Sequence, residues 1–94
     1  MQSEFVITGS LGSVAVEPGR TFVDNGVTWE VVGLAAGWSY SPSGLGGTPV
    51  VTCRILNGEP DSRFPPEHIK DRATNWCGDS LASAIIEYEA QRNG

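Results

Sequence analysis

The side chains able to do chemistry in this chain are few and scattered. His68 is the one histidine, beside Glu67 and five residues from Arg63, with no serine in a strained elbow and no cysteine at helical spacing. Proton transfer by an imidazole needs partners within hydrogen-bond reach that orient it, and no neighbour in sequence supplies them. Cys53 and Cys77 have 23 residues between them, which fits neither a zinc pattern nor a secreted disulfide framework. Cys53 lies in an apolar run and reads as a small core residue. Cys77 precedes a helix start, a position that lowers a thiol pKa, but no base adjoins it; both cysteines read as structural. Asn57, Glu59 and Asp61 alternate as calcium-loop ligands do, yet the sixth position is Ser62 rather than glycine and the twelfth is His68 rather than glutamate. Gly44-Leu45-Gly46-Gly47 lacks the following helix and the Lys-Ser/Thr of a phosphate loop. The expectation is therefore a protein that is not an enzyme, with no catalytic residue, metal or cofactor.

What stands out instead is a set of groups suited to contact. Residues 35–49 hold four glycines, three serines and two prolines, and carry Trp38, Tyr40 and Leu45. So long a loop in so short a chain tends to be functional or disordered. Trp and Tyr offer large contact area at low entropy cost, so the three residues are expected to anchor a partner; the alternative folds them back over one end of the core. Glu59, Asp61, Glu87 and Glu89 are candidate groups for steering a basic partner. Ile86 falls off the apolar stripe of its helix and is the further candidate contact.

The elements that must position these groups follow from local chemistry. Glu4–Thr8, a Gly9–Gly12 turn and Ser13–Glu17 read as a hairpin or meander with Val14 and Val16 on one face. Asn25-Gly26 is the preferred pair for a two-residue type I′ turn, since both positions need positive φ. That turn sets Phe22 opposite Trp29, a cross-strand pair of roughly 0.2–1 kcal/mol, and puts Phe22, Val27, Trp29 and Val31 on one face. Val50–Leu56 is a strand with Val51, Cys53 and Ile55 together and apolar residues on both faces, as in a covered strand. Pro66 suits the first position of a short helical turn, and Phe64-Pro65-Pro66-Glu67-His68-Ile69 resembles the closing end of an SH3-like barrel, a likeness that implies Phe64 and Ile69 as plugs at one end. Residues 70–78, with Trp76, read as a connection. Leu81, Ala84, Ile85 and Tyr88 mark a helix over about 79–92 with an apolar stripe, capped by Asp79 or Ser80; Glu87, Glu89 and Arg92 face solvent.

The resulting fold class is mainly β with one C-terminal helix (α+β). The strand count, the long early loop and the Phe64-Pro65-Pro66 turn resemble an SH3-like antiparallel β-barrel of about five strands, a likeness of pattern that carries no functional residue across. The expected organisation is one domain over 1–94, with the barrel over 4–72 and the linker and helix over 73–94.

Charge narrows the partner. Six Lys/Arg against eleven Asp/Glu give a formal net charge of −5, and the basic residues are dispersed, so direct nucleic-acid binding, which needs clustered cations, is not expected. No apolar run reaches the ~18 residues of a membrane span, and Met1-Gln2-Ser3-Glu4 lacks the basic start of a signal peptide; the expected location is cytoplasmic. The leading reading is a small acidic protein-binding module that occludes a basic surface. In size and charge it resembles phage-encoded inhibitors of host defence, anti-CRISPR proteins among them. The alternatives are a small-ligand-binding domain or accessory subunit of an enzyme, and a structural protein of an assembly such as a virion; oligomeric state is open.

Overall fold

Asn25 and Gly26 take φ of 50° and 77°, and the chain reverses there as their pairing requires. The computed structural model describes residues 4–40 and 48–93, with side chains over 4–35 and 49–92. Around the reversal, β3 (Thr21–Asp24) meets β4 (Val27–Tyr40) in the expected register, Phe22 opposite Trp29. β4 continues against β5 (Thr48–Asn57), interrupted by three register shifts, and β5 pairs with β6 (Ala73–Cys77). The four form one antiparallel sheet in chain order, and β1 (Phe5–Gly9) with β2 (Gly12–Val16) forms a separate two-stranded sheet. The described strands thus make two open sheets of six strands in all, rather than one closed barrel of about five.

Two further expectations are corrected. Residues 35–49 are not loop throughout, because β4 runs to Tyr40 and β5 starts at Thr48, with Tyr40 opposite Thr48. Residues 70–78 are not a plain connection. Lys70 and Ala73 exchange backbone hydrogen bonds of 2.9 Å across Asp71-Arg72, whose φ values are 54° and 60°. This second tight reversal, built without glycine, starts β6 as an edge strand.

One core joins the two sheets. Phe22, Val27, Trp29, Val31, Val51, Cys53, Ile55 and Trp76 are buried from the larger sheet, and Ile7 and Val16 from the smaller. The helix α1 (Gly78–Asn93) closes over them with Leu81, Ala82, Ala84 and Ile85, while Tyr88 is half-buried at its edge. Helices in folded proteins draw most of their stability from packing of an apolar face rather than from intrinsic propensity, so this docking supplies most of the stability of α1. The Asp79 carboxylate accepts from the Ser80 N–H at 2.7 Å at the helix start. Near its other end Glu89 forms an ion pair with Arg20, tying α1 to the approach to β3.

The aromatic centre is edge-to-face. Trp76 lies 5.5 Å from Phe22 and 5.2 Å from Trp29, at interplanar angles of 81° and 87°, the geometry that ring quadrupoles favour. Among the described residues neither indole N–H finds an acceptor, so packing rather than hydrogen bonding holds the two tryptophans. Burial also pushes the Cys53 thiol far above its ordinary pKa, which keeps it protonated and inert, as expected of a core residue.

Candidate binding groove

Between β5 and β6 the chain makes an excursion, Gly58 to Arg72, that is fastened at several points. Gly58 has φ of 95°, and a Cβ there would stand 3.0 Å from the Gly26 carbonyl oxygen and 3.2 Å from Val27 Cα. Only glycine allows that backbone to press against the β3–β4 turn. Asn25 Nδ2 donates to Asp61 Oδ2 at 2.8 Å. Arg63 Nε donates to Asp61 Oδ1 at 3.0 Å, and its Nη2 forms an ion pair with Asp24. Arg72 Nη2 donates to the Gly58 carbonyl at 3.2 Å, and Thr74 Oγ1 donates to the His68 carbonyl at 3.0 Å. Pro60, Pro65 and Pro66 fix φ at three more positions, and Pro66 opens the one-turn 3-10 helix Pro66–His68.

This fastened excursion lines a groove of about 710 Å³, within the ~300–1,000 Å³ range of ligand clefts. Its buried and half-buried lining is apolar: Ile55, Pro60, Phe64, Pro65 and Ile69. Its exposed lining holds three carboxylates, Glu59, Asp61 and Glu67, with Arg72, Ser62 and the ring of Pro66. Phe64 is held from behind, its ring 5.1 Å from Trp29 and 5.0 Å from Trp76. Arg63 lies over the same cluster, 5.3 Å from the Phe64 centroid and 5.9 Å from that of Trp76, an attractive cation–π placement.

The three carboxylates are not equivalent. Hydrogen bonds from Arg63, then from Asn25, lower the Asp61 pKa from 3.8 to about 2, because they favour the charged form; the bond to Asp61, then that to Asp24, raises the pKa of Arg63. Asp61 is thereby spent on holding the loop. Among the described residues neither Glu59 nor Glu67 enters an ion pair, so their charge is offered to solvent.

The residues singled out in the sequence meet different fates. Glu59 and Asp61 come together at the groove. Glu87 lines a separate polar cleft with Asp24, Arg63, Asp79 and Ser83. Glu89, expected to face solvent as a steering charge, is instead engaged by Arg20. Ile86 is half-buried beside the smaller sheet, where a Cβ on Gly12 would lie 3.9 Å from its Cδ1. Trp38 and Tyr40 belong to β4 by backbone, but their side chains, and Leu45 altogether, lie outside the described residues. Val32 and Leu34, which precede them on β4, are exposed. Sequence reasoning missed Glu67, Arg72 and Ile55 as groove residues, and it placed Phe64 and Ile69 only as plugs. The available signal was the Pro60…Pro65-Pro66 spacing, which stiffens a loop that otherwise reads as a polar turn.

His68 and Cys77 both line a further hollow of about 320 Å³, and among the described residues no hydrogen bond joins them. No group of three or more His, Cys, Asp or Glu side chains suited to a metal ion occurs among the described residues, and no helix of theirs is long and apolar enough to cross a membrane. No protein-family model, curated protein or solved structure matches the chain.

Proposed function

We propose that this chain is a non-enzymatic protein-binding module whose contact site is the groove between β5 and β6. The observation that carries the reading is the pairing of an apolar trough with rim carboxylates in a loop already fastened to the body. Ordering a flexible loop on binding costs affinity, and a loop held in place beforehand avoids that cost. The net charge of −5 adds long-range attraction for a basic partner, which raises association rates more than affinity. Val32 and Leu34 on β4 supply a second apolar contact on the approach to Trp38 and Tyr40. An inhibitor that occludes a basic surface, of the phage-encoded kind, is the form of this function that size and charge favour.

Affinity capture from the native host, with the intact chain and with a Glu59→Lys, Glu67→Lys variant of equal thermal stability, tests it. The intact chain is expected to retain a basic protein that the variant releases. Equal retention by both removes the groove from the account.

A further inference from the structure

Resting on that reading, we infer that the groove takes an extended peptide segment in which an arginine or lysine flanks a proline or aliphatic residue. The inference joins three observations. The first is the apolar trough itself: the half-buried Phe64 ring and the faces of Pro60 and Pro65 are flat and rigid, and Ile55 lies buried beneath. Surfaces of this kind pack an apolar side chain without giving up rotamer freedom of their own.

The second is the charge left over at the rim. Asp61 is engaged by Arg63, which it shares with Asp24, and by the Asn25 amide, and the Arg72 guanidinium, still charged, is turned onto the Gly58 carbonyl. Glu59 and Glu67 keep their charge for a cation, and a carboxylate takes guanidinium in a two-bond geometry that an ammonium cannot match. The complementary ligand is therefore apolar at its centre and positive beside it. An acidic or purely apolar segment meets either repulsion or unpaired carboxylates.

The third is preorganisation. The loop is fixed on one side through Asn25 and Asp24, distant in sequence, and on the other through Thr74, six residues on from His68. A short extended segment can then bind without the groove first having to form. An open trough lined along residues 55–72 also fits a strand of peptide better than an isolated cation.

The test uses the intact chain and a short fluorescein-labelled peptide in which arginines alternate with proline and leucine, read by anisotropy. Saturable binding is expected, weakening as salt screens the rim. Glu59→Gln with Glu67→Gln is expected to cost about tenfold in Kd, each exposed pair contributing modestly. Both positions are exposed, and circular dichroism confirms that the variant is folded. A matched peptide with glutamate in place of arginine is expected not to bind.

Equal binding by the Gln variant, equal binding of the glutamate peptide, or no binding of the arginine peptide by the folded chain overturns the inference. Competition by arginine amide as effective as the peptide itself also overturns it, in favour of a small cationic ligand. If no peptide binds while host capture still depends on Glu59 and Glu67, this inference fails and the protein-binding reading stands; if both fail, the groove is not the site.

Discussion

The two tight reversals of the larger sheet differ in almost everything except shape. Asn25-Gly26 and Asp71-Arg72 each place two consecutive residues at positive φ. The first uses the pair that tolerates this best. The second forces a long side chain into a region that costs an ordinary L-residue about 1–2 kcal/mol. Each feeds a tryptophan into the core, Trp29 three residues after the first turn and Trp76 four after the second, and each reaches the groove loop, through Asn25 to Asp61 and through Arg72 to Gly58. A turn written in local preference can form on its own. A turn written against preference has to be held by what it connects, and here what it connects is the lining of the groove. Strain kept where a ligand is expected to sit is the common pattern at functional sites.

Removing the tryptophans gives the largest effect that bears on this comparison. Trp29→Ala and Trp76→Ala are each expected to lower stability by about 3–5 kcal/mol in urea denaturation, the usual range for emptying a buried aromatic site. Trp76→Ala should also loosen the second reversal, since the packing of β6 holds that turn in place. Equal protection of the Lys70 and Ala73 amides from hydrogen exchange in both variants would contradict this dependence.

Backbone substitutions sharpen the contrast at smaller scale. A Cβ on Gly26 meets nothing within 4 Å, so Gly26→Ala should cost about 1–2 kcal/mol through conformation alone. Arg72→Gly should instead raise stability by about 0.5 kcal/mol, as relief of positive φ outweighs the added freedom of the unfolded chain. A loss on Arg72→Gly would mean that the bond to Gly58 dominates over strain.

The smallest effect is electrostatic. Asp61 is held to about 2 against an ordinary 3.8, so its folded state binds a proton less readily than the unfolded chain. The stability it contributes is fully present above about 3.8 and is lost as pH falls through about 2. Carboxyl NMR should find Asp61 titrating near the lower value, and Arg63→Ala should bring it back towards the ordinary one, with Asn25→Ala doing so to a lesser degree. An unchanged titration in Arg63→Ala would disconnect the loop from its fastening.

How much of this was legible follows the same division. The β3–β4 register, the inward face of β5 and the helix stripe come from short-range pattern, and all three stand as expected. β6 was hidden because Asp71-Arg72 lacks the glycine that marks a two-residue reversal and its outward residues, Ala73, Asn75 and Cys77, are not strand-like. The extension of β4 to Tyr40 was masked by Gly37 and Ser39, and its strand state is set by pairing with β5. Glu89 reads as solvated until the fold brings Arg20 to it across 69 positions. The groove was least legible, because Ile55, Phe64, Ile69 and Arg72 meet only once the loop is pinned by residues from elsewhere in the chain.

The most direct test of the account is an NMR titration of the isotope-labelled chain with the arginine–proline–leucine peptide. The account predicts amide shifts concentrated at Ile55, Glu59, Phe64, Glu67 and Ile69, with the smaller sheet and the body of α1 unmoved. Shifts centred on β1–β2 or α1, with residues 55–72 unchanged at saturation, would contradict it.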